Sequence, residues 1–399
     1  MVLTMQESRK LKLLTYANLI TLFGSAFVFI PISKNFSTYF GIGVSWALVY
    51  FIMRSPPVFF ARLYANLANK YGLAQTLTYA QLCSVSASVI LLIGVYFGLN
   101  YLAIFGFVLV CSFSLALRTL YPSFLNLVSV GQDELKRNIA DWQSIIFGSA
   151  VFGIGIGGVM YDYFSIELFV LVDLLTFVIA YLIWSYVAKD LGGFFLKVGT
   201  QKTSFSEFTR LAVLPLNIVI FFKKLAYGFI NPIAAVIFLE KFGLSTATFS
   251  LLFSSSVLFS LLSSRVAKRI SISYNNCLFF SAIEIGLAVT FILSTSMILC
   301  VVSFFMADFF MVLADVNTET LYLDKYSKEF SNNLASVFSA LRNGGQLMGY
   351  FVIIFLNPAY VVSTGLYGVI MCGLLASIGI MLAKHRFSLV DDDCLTDSV

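Results

Sequence analysis

Twelve stretches of mostly apolar residues follow one another along the chain, near 14–33, 43–65, 73–98, 101–128, 139–160, 166–187, 214–239, 246–264, 274–296, 298–320, 334–356 and 359–383. Each approaches the length of about 20 residues that a helix needs to cross a hydrocarbon core. Backbone immersed in lipid has to satisfy its own N–H and C=O groups, which leaves packed helices as the solution for runs of this kind. Composition agrees: 59% of the residues are hydrophobic, only 11% are charged and the mean hydropathy is +0.92. A soluble domain carries about 25% charged residues. The expected fold class is an all-α membrane protein with twelve transmembrane helices. The links at 98–101 and 296–298 are so short that they must be very tight turns.

The basic residues test that count independently. Twelve alternating helices put both termini on one side. That side receives Arg9, Lys10, Lys12, Arg62, Lys70, Lys136, Arg137, Lys189, Lys197, Lys202, Arg210, Arg265, Lys268, Arg269, Lys325, Lys328, Lys384 and Arg386. The other side receives Lys34 and Lys241. The positive-inside rule makes the first side cytoplasmic. The start, MVLTMQESRKLKLL, runs into apolar sequence without an A-x-A-like cleavage site, so no removed signal peptide is expected. With loops this short, the expected location is a bacterial cytoplasmic (inner) membrane, spanned many times, with both termini inside.

Several functions are disfavoured. The net charge of +5 is scattered in ones, twos and threes, not gathered into a basic patch, which argues against nucleic acid. The single histidine, His385, lies in the C-terminal tail, which removes histidine-dependent catalysis and histidine-rich metal sites. The six cysteines lack CxxC spacing and read as small buried hydrophobes. No G-x-x-x-x-G-K-[ST] pattern supports an ATP-driven pump. The chain is expected to be no enzyme and to need no cofactor and no metal.

The longest polar link, 188–213, separates six helices from six, giving an expected N-terminal bundle 1–187, a cytoplasmic linker and a C-terminal bundle 214–399 with a short tail. The halves echo each other. An offset of 195 aligns Glu134 with Glu329, Asn138 with Asn333 and Ala140 with Ala335, and NLANKYG at 66–72 pairs with RVAKRIS at 265–271. This pattern suggests parallel repeats about an axis along the membrane normal.

At this point the sequence resembles the major facilitator superfamily. Residues 65–72, ANLANKYG, are similar to its G-x-L-A-D-R-x-G signature between helices 2 and 3: Lys70 and Gly72 fit, Ala65 replaces the first glycine and Asn69 the acid. Gly153, Gly155, Gly157 and Gly158 resemble the G-P-x-x-G-G element of exporters, with Ile154 in place of proline. Residues 118–182 resemble the enterobactin-exporter-type branch, through RTLYPSFLNLVSV, GIGIGGVMYDYF and LVDLLTFVIAYLI. The resemblance implies two six-helix pseudo-symmetric bundles, with helices 1, 4, 7 and 10 lining a central cavity. It also implies export of siderophores or drugs. Close helix packing through small residues is the other reading of the glycine run.

Charges at membrane depth are costly and mark candidate sites. On helix 10, Asp308 and Asp315 lie within about 20° of each other and Glu319 about 40° further round, so the three share one face over roughly 16 Å. Such a carboxylate ladder suits proton coupling; the alternative is pairing with buried Arg or Lys. The repeat offset puts Arg118 at a depth similar to Asp315, so the two are expected to approach across the cavity, unless Arg118 caps a backbone carbonyl. Lys223 and Lys224 point about 100° apart, so one is expected to face the cavity and the other to snorkel to headgroups. Arg54 precedes Ser55-Pro56-Pro57, which must kink helix 2, and its guanidinium either binds the freed carbonyls or meets a ligand. Arg342 sits in RNGGQ, where Gly344 and Gly345 permit close helix approach. Asp173 and Glu284, on peripheral helices, are expected to form structural pairs. The expected function is a monomeric secondary transporter exchanging protons for a small polar or amphipathic solute. An importer, a uniporter and a non-transporting sensor or scaffold are the alternatives.

Overall fold

The computed structural model describes residues 5–128, 132–188, 215–267, 269–271, 273–330 and 334–396. Among them there is no strand. Eight helices are long and apolar enough to cross a membrane, and shorter apolar segments cover Asn100–Ser114 and Ile145–Met160. Among the described residues, each of the twelve apolar runs is helical over most of its length. The chain divides into two compact units.

Unit 1 comprises Met1–Tyr39, Ile52–Thr200 and Leu244–Ser254; unit 2 comprises Phe40–Phe51, Gln201–Gly243 and Ser255–Val399. The helices in order are α1 (Met5–Phe40), α2 (Ile42–Phe59), α3 (Ala61–Tyr71), α4 (Leu73–Tyr96), α5 (Asn100–Val128), α6 (Gln132–Met160) and α7 (Ile166–Ala188). After residue 214 come α8 (Pro215–Ala235), α9 (Thr246–Ala267), α10 (Tyr274–Leu293), α11 (Met297–Phe330), α12 (Leu334–Ile354) and α13 (Val361–Thr396). A π-helical turn, Val236–Lys241, continues α8.

The proline pair divides the second apolar run instead of merely bending it: α2 ends at Phe59, and α3 starts beyond Phe60. Pro56 has no N–H for the carbonyl of Ile52. The Ser55 hydroxyl donates to that carbonyl at 3.2 Å, while Arg54 is exposed. The tight α4–α5 link closes with two bonds, Leu99 N–H to Gly94 C=O at 2.8 Å and Gly98 N–H to Val95 C=O at 3.2 Å. Gly98 has φ +64° there, the left-handed position this helix ending requires.

Helix α7 shows how a uniformly apolar segment acquires two faces. Leu168, Leu171, Leu175, Ile179, Leu182 and Tyr186 are exposed, a stripe at helical spacing suited to lipid. Phe169, Asp173, Phe177, Ala180 and Trp184 are buried on the other side. Trp184 packs in a core with Leu14 and Ala17 of α1, Ala68 of α3, Leu77 of α4 and Trp142 of α6. Lipid supplies no hydrophobic drive between such helices, so close packing has to hold them. The glycine run serves that end: a Cβ on Gly153 would stand 2.6 Å from Ala26 Cβ and 2.8 Å from the Phe23 carbonyl of α1.

Unit 2 is built around α8. Fifteen of its residues are buried, including both lysines. Leu216, Val219 and Ile220 pack with Cys277 of α10 and with Ala376, Ile380 and Ala383 of α13.

Candidate functional site

A helix enclosed on most sides has no lipid-facing or water-facing surface for its charges. Lys223 and Lys224 are each 5% exposed, so neither snorkels to the headgroups. Their four-carbon stems bend toward a common partner, Asp315 on α11. Lys224 Nζ donates to Asp315 Oδ2, and Lys223 Nζ stands 3.2 Å from Oδ1. Lys223 Nζ is also 3.3 Å from Glu284 Oε2 on α10. Both Lys223 approaches are ion-pair distances without the direction of a hydrogen bond, so this ammonium is held by charge more than by geometry.

Glu284 is thus a member of the cluster, paired as expected of it but with a residue of the candidate site. Arg342 on α12 adds a third positive field, acting on Lys224 and Asp315. Of its two neighbouring glycines, Gly345 permits the close approach: a Cβ there would stand 2.5 Å from the Phe221 carbonyl and 3.2 Å from Lys224 Cβ. Gly344 faces open space.

Asp308, two turns earlier on α11, has a different environment. Tyr227 OH lies 3.5 Å from its Oδ1, and the Ser256 hydroxyl also bonds its carboxyl. Among the described residues no lysine or arginine pairs with it. Tyr227 joins the two carboxylates, because Lys224 Nζ also lies 5.4 Å from its ring centroid. Further along α8, Asn231 Nδ2 donates to Tyr350 OH at 3.0 Å, and the Tyr350 ring stacks on Tyr50 at 5.3 Å. Tyr227 and Asn231 were not singled out from the sequence. The signal was present: Lys223, Tyr227 and Asn231 recur every four residues, a polar stripe on an otherwise apolar helix.

Asp315 keeps 22% of its side chain exposed while both lysines are almost sealed. It is therefore the reachable member of the cluster. A buried ion pair adds little net stability, but removing one partner strands the other and costs about 3–5 kcal/mol. The lysines can release Asp315 only if a proton neutralises the carboxylate or another anion takes its place. The side chains of Asn69, Arg118 and Glu319 lie outside the described residues. Lys70 is exposed at the end of α3, and Gly72, at φ +87°, turns the chain into α4.

No protein-family model and no curated protein sequence matches the chain. Solved structures do. A bacterial homologue of the iron transporter ferroportin in an inward-facing state matches at TM-score 0.71 and 15% identity, over 95% of this chain and 100% of that one. The peptide transporter POT in complex with sulfate matches at 0.70 and 14%, over 94% of each chain. A bacterial homologue of the human lysosomal transporter Spinster matches at 0.65 and 13%, over 98% of each. The chain has the all-α fold of these membrane transporters.

Proposed function

We propose that the chain is a secondary active transporter, a proton-coupled exporter of a small molecule of the siderophore or drug class that works by alternating access. The observation that carries the reading is Asp308, a carboxyl engaged, among the described residues, by hydroxyls and by no cation, two turns from a carboxyl engaged by two lysines. A proton is the simplest partner that neutralises such a group. A solute carrying a positive or hydrogen-donating group competes for the same oxygens. Competition between proton and solute for one site is the negative coupling that antiport needs.

Asp315 favours a second reading. Protonating it frees Lys224 for an anion, so proton and anion would bind together, as in a symporter that imports an anionic solute. Glu319, further along α11, and Arg118, of α5, are further candidates of this reading for the proton and the solute. In both readings the protein acts as a monomer in a bacterial inner membrane, and performs no catalysis.

Proteoliposomes distinguish the two. The probes are catecholate and hydroxamate siderophores and lipophilic cationic dyes, with a pH-sensitive dye inside the vesicles. Proton movement opposite to the solute supports the exporter, and movement in the same direction supports the symporter. Absence of any solute flux overturns both. The 6+6 arrangement has its own test: reporters fused at Ser204 and at the C-terminus should both read as cytoplasmic, and an outward signal from either would sink it.

A further inference from the structure

One buried carboxylate plays no part in that scheme. Asp173, 1% exposed on the inner face of α7 in unit 1, has one described side-chain partner, the Ser25 hydroxyl of α1 at 3.5 Å. The described ion pairs all belong to Lys223 and Lys224, in the other unit. Asp173 borders a cavity of about 30 Å³, lined also by Thr21 and Ser25 of α1, Gln81 of α4 and Ser114 of α5. That volume is large enough to hold a water molecule or a small desolvated ion. Gln81 is 1% exposed and lines the same cavity, and its Oε1 has no hydrogen-bond partner. Residue 24 has to be glycine for α7 to come so near: a Cβ there would stand 2.9 Å from Asp173 Oδ1 and 2.8 Å from Thr176 Cγ2.

We propose that this cavity binds one desolvated monovalent cation of about the size of sodium, with Asp173 supplying the charge and Thr21, Ser25, Gln81 and Ser114 the neutral oxygens. Five of the thirteen residues that line the cavity carry a side-chain oxygen, set among apolar ones, and oxygen ligands suit a hard cation. Two sulfurs, those of Met53 and Cys111, border the cavity, and no described group of three His, Cys, Asp or Glu side chains offers a softer metal its ligands. The charge count selects the valence. One carboxylate balances one positive charge, whereas a divalent ion would leave a net charge uncompensated in low dielectric. The occupied site ties α1, α4, α5 and α7 together, so sodium stabilises unit 1. The inference concerns binding within that unit and holds whether or not unit 2 moves a solute.

The test uses the full-length protein, purified in detergent, with sodium chloride exchanged for choline chloride at constant ionic strength. Parallel arms use potassium and calcium chloride. Wild type should gain thermal stability saturably with sodium and bind about one ²²Na⁺ per chain. Asp173→Asn should lose both responses. Gln81→Met and Ser25→Ala should each weaken the apparent sodium affinity by roughly tenfold, the loss expected for one oxygen contact to a charge. These two variants also keep the proposal exposed if Asp173→Asn does not fold. It is overturned by a wild type indifferent to sodium, in which case a proton or a water fills the cavity. Stabilisation by calcium alone, an unchanged response in Asp173→Asn, or unchanged affinity in both oxygen variants also overturns it.

Discussion

Asp315 and Asp173 are carboxylates carried into the membrane on apolar helices, and the two units treat them in opposite ways. In unit 2, two lysines of α8 converge on Asp315, and Glu284 takes up the remaining interaction of Lys223. In unit 1, Asp173 meets a hydroxyl and a small, mostly apolar cavity that four neutral oxygen-bearing side chains also border. Charge burial is costly in both places. The first arrangement supplies the counter-charge from the chain, so its members cannot change partners without an incoming proton or ion. The second leaves the counter-charge to come from outside. Paired charges therefore make a switch, and a lone carboxylate makes a socket.

The largest effect should come from Asp315→Asn, which strands two buried lysines with one acid. Gradient-driven accumulation should be abolished, and stability should fall by about 3–5 kcal/mol. Solute flux in proteoliposomes and chemical unfolding check the two halves of that statement. A variant as stable as wild type would show that the lysines find another partner. Asp308→Asn should separate function from stability. Asparagine still accepts from Tyr227 and Ser256, so unfolding should change by less than about 1 kcal/mol. Proton-driven accumulation should disappear, and downhill exchange should survive, since exchange needs no net proton movement. Retained gradient-driven flux in this variant would move coupling away from α11.

A rescue experiment sharpens the comparison further. Glu284→Gln alone leaves Lys223 leaning on Asp315 and should destabilise. Adding Lys223→Met should recover more than half of the loss, because an apolar replacement for a buried pair is often close to neutral. No recovery on adding the second change would mean that Lys223 is needed chiefly by Asp315. Glu319→Gln should have the smallest effect, less than about threefold on transport rate at saturating solute.

Much of this molecule was legible as sequence. The apolar runs, the charges within them and the shared face of Asp308 and Asp315 all follow from helical periodicity and from the cost of charge in lipid. One local inference failed, and one pair of alternatives was narrowed, for instructive reasons. The 100° between Lys223 and Lys224 describes where their Cβ atoms point, but long flexible stems let both ammonium groups reach one carboxylate. The proline pair did free a carbonyl, and the neighbouring Ser55 hydroxyl reached it, not the longer Arg54.

The sequence by itself determined which segments are helices and which residues carry charge into the membrane, because both depend on neighbours a few positions away and on the solvent. Partners were decided only by the tertiary structure. Whether Asp173 stands beside Ser25 and Gln81, or Glu284 beside Lys223, depends on how helices distant in sequence turn and slide against one another. Rotating one helix by a single residue's 100° exchanges the face it buries, and nothing within an almost uniformly apolar segment fixes that rotation. Packing fixes it, through contacts such as Gly153 against Ala26 and Gly345 against Phe221, where the absence of a side chain on one helix is given meaning by the surface of another.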